Sequence, residues 1–496
     1  MVTPSVGVRT QVYLCRNCIG GGWKDSRGNA KMLLNPATGE PLTEIPDSTP
    51  EEVQGAIAAA GSAFELWRKR PVTERAKILF RYRELLSAHS EELARLVTLE
   101  NGKTLDESRG SVLRGIEAVE FSCGIPSLMT GETLENVGRS VDTISIRQPL
   151  GVCAGIPPFN FPAMIPLWMF PLAVACGNTF VLKPSDKAPR TGVRLAELFY
   201  EAGFPGGVLN IVHGAKDAVD LILKDSRVKA ISFVGSSPVA EYVYKTAAAH
   251  GKRVQALGGA KNHAVVMPDC DLQEAAKAIA AAAFGCAGER CLATSVVVTV
   301  GEVGDPLVRE LVSLAEKIRV GSGDRAETNM GPVISADHRE RILKYIEIGL
   351  KEGAQLARDG RQIVPHDGSK GFYVGPTVFD RVEPRMRIAR EEIFGPVLSI
   401  IRMPTLDEAT SLVNNASLGN ASSIFTRSGK TARDFASRIE TGMVGVNVGV
   451  PAPLAYFQFA GWKGSFYGDL HALGRDSIEF YTEKKLVTSR WSSGRC

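Results

Sequence analysis

From residue 50 to 122 apolar side chains recur at helical spacing. Glu51-Glu52-Val53 through Trp67, Arg75 to His89 and Glu91 to Leu99 carry them at i, i+3 and i+4, which predicts amphipathic helices. Thr49-Pro50 and Pro71-Val72-Thr73 supply start signals, because a hydroxyl can cap free amides and proline tolerates the first turn. The period then changes. Thr143-Ile144-Ser145-Ile146-Arg147-Gln148 alternates, which predicts an exposed hairpin between 130 and 149. From 150 to 260 short apolar runs (Gly151 to Ile156, Thr179 to Leu182, Val208 to Val212, Ala230 to Val234) alternate with helical stretches such as Thr191 to Ala202. Continuous short runs separated by helices predict a parallel α/β sheet. The alternation repeats from 261 to about 445, through Ala264 to Met267, Ser295 to Val300, Pro306 to Arg319 and Val397 to Met403. The fold class is α/β, with two parallel-sheet domains and a ribbon.

The segment Ile156 to Leu182 is apolar, but Pro162, Pro166, Pro171 and Gly177 interrupt it, so it reads as a buried strand, turn and helix. No run of about 18 apolar residues exists, and no membrane span is expected. A chain of 496 residues exceeds one core and suggests two or three domains. The net charge of +4 is a weak bias that suits anionic ligands and does not argue for nucleic acid. Nine cysteines without a disulfide-like framework read as reduced and intracellular, in the cytoplasm or, in a eukaryote, the mitochondrial matrix. Cys15 and Cys18 form a Cys-x-x-Cys with no second pair and no nearby histidine, which argues against zinc. Cys496, at the terminus, is expected to be exposed and oxidisable. The first dozen residues lack the apolar core of a secretory signal and are not clearly Arg- and Ser-rich.

Two stretches carry candidate chemistry. Phe284-Gly285-Cys286-Ala287-Gly288-Glu289-Arg290-Cys291 sets a cysteine behind a small, Gly-rich approach and beside an arginine. A neighbouring cation favours the thiolate, the reactive form. In Pro158-Phe159-Asn160-Phe161-Pro162, Asn160 offers an amide donor of the kind that stabilises an oxyanion. A lone cysteine is more often core packing, and an Asn among prolines is more often a turn residue. Phe233-Val234-Gly235-Ser236 follows a strand and opens a helix, whose free amides can bind an anion.

Together these stretches resemble the aldehyde dehydrogenase superfamily, as do Asn35-Pro36-Ala37-Thr38-Gly39-Glu40, Leu182-Lys183-Pro184-Ser185 and Glu391-Glu392-Ile393-Phe394-Gly395-Pro396-Val397. The likeness runs from about Ile19 to Trp491. It implies that Cys291 forms a thiohemiacetal whose oxygen Asn160 binds. It implies an NAD site at Gly235, Ser236, Lys183, Asp186, Phe159, Glu392 and Phe394. Asp186 stands where the family often has Glu; an acidic group there accepts from a ribose hydroxyl and repels a 2′-phosphate, favouring NAD over NADP. The resemblance assigns 1–130 and 150–257 to the NAD-binding domain, with 447–472 returning to it. It assigns 258–446 to the catalytic domain. The hairpin 131–149 and the segment 473–496 become an oligomerisation element of a homodimer or homotetramer.

One departure narrows the reading. Hydrolytic members have Glu-Leu-Gly-Gly-Lys where this chain has Gln255-Ala256-Leu257-Gly258-Gly259-Ala260-Lys261-Asn262-His263. Leu257 or, with a shift of one, Ala256 stands at the base position, and neither can activate water. General-base help is worth about 10²–10⁴-fold, so hydrolysis should be slow. CoA needs less help, because a thiol is already partly ionised at neutral pH. Glu289 is a conceivable substitute base. Gly-Ala-Lys-Asn-His resembles the CoA-acylating methylmalonate- and malonate-semialdehyde dehydrogenases, as do Pro158 to Pro171 and Gly464-Ser465-Phe466-Tyr467-Gly468-Asp469-Leu470-His471. Ile156-Pro157-Pro158 departs from that branch, which usually has Thr before the second proline. Such substrates carry a carboxylate, which a guanidinium fork binds well. Arg290 and Arg114 are the candidates, against a structural salt bridge for the first and a solvated helix face for the second. Cys286 is expected to be packing, close enough to Cys291 for an oxidative disulfide. The resemblance implies oxidative decarboxylation to acetyl-CoA or propanoyl-CoA. The alternatives are a hydrolytic enzyme releasing free acid, an acylating enzyme for a plain aldehyde, or a silent NAD-binding protein.

Overall fold

The computed structural model describes residues 12–491. The leader reading, apart from residue 12, and the expectation for Cys496 lie outside the described residues.

Capping sets the helices before packing does. Thr49 caps helix Pro50–Trp67 in a reciprocal box with Glu52, and Val53, Ala56, Ile57 and Ala60 form its buried stripe. The next two helices, Val72–Ala88 and Ser90–Asn101, are joined at His89, and the second stops at Gly102 in a left-handed conformation, φ 94°. A second box, Thr104 with Glu107, opens helix Leu105–Cys123. Helix Met164–Ala175 is buried on every face but one residue, as its unbroken apolar sequence requires, and carries Pro171 internally.

The first sheet has eight strands, in the order Phe466–Gly468, Arg253–Leu257, Val228–Val234, Val152–Ile156, Thr179–Leu182, Leu209–Ile211, Asn17–Ile19 and Gly22–Lys24. Its five central strands are parallel and its edges antiparallel. The purely parallel sheet predicted from the sequence is therefore corrected at its borders. Asn17–Ile19 and Gly22–Lys24 are joined by the two-residue turn Gly20-Gly21, far too short for a parallel crossover.

The second sheet has seven strands, ordered Gln355–Arg358, Thr377–Asp380, Val397–Met403, Thr294–Val300, Asn262–Val266, Ala421–Phe425 and Met443–Val446. All pairs are parallel except the first. Each sheet has its own apolar core. The predicted hairpin is present as Glu132–Gly138 and Val141–Pro149, and Thr482–Arg490 pairs along the whole of its second strand. Cys15 and Cys18 are buried free thiols, and no metal-holding group of His, Cys, Asp or Glu occurs among the described residues. No described helix is long and apolar enough to cross a membrane.

Candidate active site

The nucleophile candidate stands at the end of a strained approach. Helix Leu272–Phe284 stops at Gly285, and Cys286, Ala287 and Gly288 then take left-handed φ values of 50°, 51° and 73°. For non-glycine residues that conformation costs about 1–2 kcal/mol each. The Cys286 N–H offsets part of this by donating to Glu107 Oε1 at 2.6 Å. Gly288 is required by space, since a Cβ would overlap the Gly395 carbonyl. Beyond the turn, the Cys291 carbonyl accepts from the amides of Asn262 and Asn420, each at 2.9 Å. Asn262 also donates to Ala293 O at 2.9 Å and accepts from Ala421 N at 3.1 Å. Sequence reasoning did not single out this clamp. Asn262 lay in the Gly-Ala-Lys-Asn-His motif, whereas nothing local marks Asn420. Burial pushes the Cys291 thiol up to about 12, with Glu392 adding and Arg290 opposing, so the resting group is a thiol.

Asn160 is buried where the chain leaves strand Val152–Ile156. Its Nδ2 donates one N–H to Glu289 O at 2.9 Å, leaving the other N–H of the amide for a ligand. Its backbone carbonyl accepts from Lys103 Nζ, a buried ammonium that also lies 3.9 Å from the Phe161 ring centre. Asn101 Nδ2 holds Phe159 O at 3.2 Å.

Cys291 opens onto a cavity of about 320 Å³ lined by Met164, Trp168, Phe459, Arg114 and Arg290 among others. Both arginines therefore share one cavity with Cys291, and each already has a carboxylate partner. Arg114 donates to Glu117 at 2.9 Å, and Arg290 donates to Glu107 at 3.1 Å. Arg290 Nε also donates to Cys286 Sγ at 3.1 Å. Cys286 is thus not simple packing: it lines the cavity and holds a guanidinium.

The remaining candidates gather around two turns. Gly235 ends strand Val228–Val234, where a Cβ would meet the Phe233 ring. Ser236 precedes helix Ser237–Ala249 without capping it, so the first-turn amides are free for an anion. Lys183 is buried at the end of its strand and donates to Gly214 O at 2.8 Å; burial lowers its pKa, opposed by Asp186 and Asp47. Glu392 Oε1 accepts from Ala260 N at 2.9 Å, and burial raises its pKa. Phe394, at φ 60°, meets Phe159 edge-on at 5.9 Å. Lys261 has a buried Nζ without a hydrogen-bond partner among the described residues; burial pushes it down to about 7, with Glu392 opposing. An uncapped helix start, a buried strand-end lysine and a half-buried carboxylate fit the phosphates and ribose hydroxyls of a dinucleotide.

Residues 23–487 match the aldehyde dehydrogenase family model. The chain belongs to the aldehyde dehydrogenase family. It is 57% identical over 483 residues to a malonate-semialdehyde dehydrogenase of Geobacillus kaustophilus, covering 97% of this chain and 100% of that one. It is 54% identical over 477 residues to the malonate-semialdehyde dehydrogenase of Halalkalibacterium halodurans, with 96% and 98% covered. The methylmalonate-semialdehyde dehydrogenase structure from Oceanimonas doudoroffii superposes with a TM-score of 0.96 at 47% identity, covering 98% of this chain and 99% of that one. A Sinorhizobium meliloti structure, assigned as the same enzyme and solved with NAD, gives 0.96 at 46% over the same shares.

In this aldehyde dehydrogenase the two residues expected at the base position are apolar. Ala256 and Leu257 end strand Arg253–Leu257, both buried, and Leu257 belongs to the apolar cluster against which Cys291 packs. Glu289 is buried and does not line the cavity. Its Oε1 accepts from Ile334 N at 3.2 Å and lies 3.3 Å from His338 Nε2. Burial raises the pKa of Glu289 and lowers that of His338, which favours the uncharged form of each group across this short contact. His338 Nε2 donates to Phe394 O at 2.7 Å.

Proposed function

We propose that this enzyme carries out NAD-dependent oxidative decarboxylation of malonate semialdehyde or methylmalonate semialdehyde, with CoA taking up the acetyl or propanoyl group. The observation that carries the reading is the pair of buried apolar residues, Ala256 and Leu257, where a water-activating glutamate would stand. The relatives named above support the substrate class. The two arginines on the cavity wall suit a substrate carboxylate.

In this reading Cys291 gives up its thiol proton to water, its Sγ attacks the aldehyde carbon, and the oxygen takes the negative charge. Asn160 Nδ2 and the Cys291 N–H donate to that oxygen. Gly235, Ser236, Lys183, Asp186, Phe159, Glu392 and Phe394 would hold NAD, which when bound supplies the hydride acceptor. Oxidation leaves a β-carboxy thioester on Cys291. Its carbon–carboxylate bond breaks, carbon dioxide leaves, and the electron pair enters the thioester carbonyl, where the same donors hold the enolate oxygen. Protonation at carbon restores the acyl thioester. The CoA thiolate then attacks the acyl carbon and Cys291 departs as thiolate. Asp186 supports NAD over NADP by its charge. The segment boundaries at 131, 150, 258, 447 and 473 divide the chain into the domains that this chemistry uses. The exposed apolar residues Ile144, Leu486 and Val487 on the ribbon support a homodimer or homotetramer, and the eight free cysteines among the described residues support a cytoplasmic enzyme.

NADH formation from each semialdehyde, with and without CoA, tests the proposal when the acyl product is identified. Turnover that depends on CoA and yields acetyl-CoA or propanoyl-CoA is the expected result. Equal turnover without CoA, releasing free acid, would overturn it.

A further inference from the structure

Glu107 lies outside every motif discussed above, yet it makes contacts on both sides of the cavity. It sits at the third position of helix Leu105–Cys123, where Oε2 accepts from Thr104 N at 3.1 Å to complete the helix cap. Its Oε1 reaches the other core. There it accepts from Cys286 N at 2.6 Å and from Arg290 Nη2 at 3.1 Å. Cys286 Sγ closes the triangle by accepting from Arg290 Nε at 3.1 Å. The Glu107 and Arg290 side chains are 15% and 22% exposed, so the pair is largely shielded from water. The guanidinium also lies flat against Gly285, where a Cβ would come within 2.6 Å of it. A planar fork held by a carboxylate on one edge, a sulfur beside it and a backbone beneath cannot swing into other rotamers.

We propose that Glu107 is a positioning residue for carboxylated aldehydes: it anchors Arg290 so that the guanidinium meets the substrate carboxylate while the substrate aldehyde lies at Cys291. The inference rests on the substrate class proposed above. The same carboxylate tethers the strained turn that leads to Cys291, so recognition and nucleophile placement share one support. Arg114 has no comparable anchor, because its Glu117 partner lies three residues along the same helix face and both side chains are more than a third exposed.

The test compares alkylation of Cys291 by iodoacetate, which carries a carboxylate, with alkylation by iodoacetamide, which does not. It is paired with the ratio of kcat/KM for malonate semialdehyde over propanal. Glu107→Gln is expected to lower both preferences about tenfold, the loss of a hydrogen bond to a charged group, with the semialdehyde effect mainly in KM. Thr104→Ala removes the other half of the helix cap and leaves the Glu107 carboxylate; it should lower thermal stability and leave both preferences unchanged. If Glu107→Gln does not fold, Glu107→Asp provides the same test, since it keeps the charge and draws the carboxylate back from Arg290. A preference that survives Glu107→Gln, or Glu107→Asp in its place, overturns this inference alone. A preference that rises in Glu107→Gln also overturns it, because Glu107 would then be a competing counter-ion. A wild-type enzyme with no preference for the carboxylated partner in either assay would overturn the substrate class as well.

Discussion

At the scale of single residues, the site is controlled by burial. Cys291 carries a thiol pushed up to about 12, so its reaction with iodoacetamide in the unliganded enzyme should keep accelerating beyond pH 9 without a plateau. A plateau below pH 8 would contradict that. Cys291→Ser should abolish NADH formation, by about three orders of magnitude or more, and Asn160→Ala should lower kcat about 10²–10³-fold with folding intact. Glu289 separates activity from stability. Burial raises its pKa from 4.5 to about 8, so the folded state retains a proton that the unfolded chain has lost. Its contribution is fully present below about pH 4.5 and is lost as pH rises towards about 8. His338, pushed from 6.5 down to about 4, has the opposite slope between those values and none above, so the Glu289 slope stands clear from about pH 6.5 to 8. Glu289→Gln should retain CoA-dependent turnover, and its melting temperature should fall less than that of the wild type over that window. Loss of turnover would instead make Glu289 a proton-transfer group.

At the scale of elements, polar side chains do what no hydrophobic pattern reveals. Asn178 is completely buried. Its Oδ1 accepts from Leu150 N at 2.7 Å and Gly151 N at 3.0 Å, and its Nδ2 donates to Ala173 O at 3.0 Å and Tyr481 O at 2.9 Å. One side chain thus joins the end of the ribbon, the central helix and the C-terminal segment. Asn178→Ala would leave these groups unpaired and should destabilise the protein by about 2–4 kcal/mol, measured by denaturant unfolding. The parallel strands were legible because burial on both faces leaves short apolar runs such as Phe180-Val181-Leu182 and Ala264-Val265-Val266. Gln355–Arg358 and Phe466–Gly468 were not, because edge strands are short, half-exposed and without such runs.

At the scale of the molecule, two sheets with separate cores converge on one cavity. Helix Leu105–Cys123 supplies Glu107 and Arg114 from the first side, and the Gly285–Gly288 turn brings Cys286, Arg290 and Cys291 from the second. The ribbon leaves Leu134 and Leu486 exposed on one face and Ile144 and Val487 on the other, apolar positions of the kind a second subunit covers. With the ribbon as the proposed subunit interface, Ile144→Asp combined with Leu486→Asp should lower the mass measured by sedimentation. An unchanged mass would place the interface elsewhere.

The sequence by itself determined the α/β class, the helices that carry their own caps, and the candidate chemistry at Cys291, Asn160 and the apolar base position. The first two are local facts that rest on periodicity and capping residues; the chemistry is what short motifs imply through their resemblance to the aldehyde dehydrogenases. The convergence of Glu107, Cys286 and Arg290, the clamp of Asn262 and Asn420 on the Cys291 carbonyl, and the burial that makes Glu289 hold its proton were decided only by the tertiary structure. Hydrogen bonding and desolvation depend on which distant segments meet, and a separation of 183 residues between Glu107 and Arg290 leaves no trace in either neighbourhood.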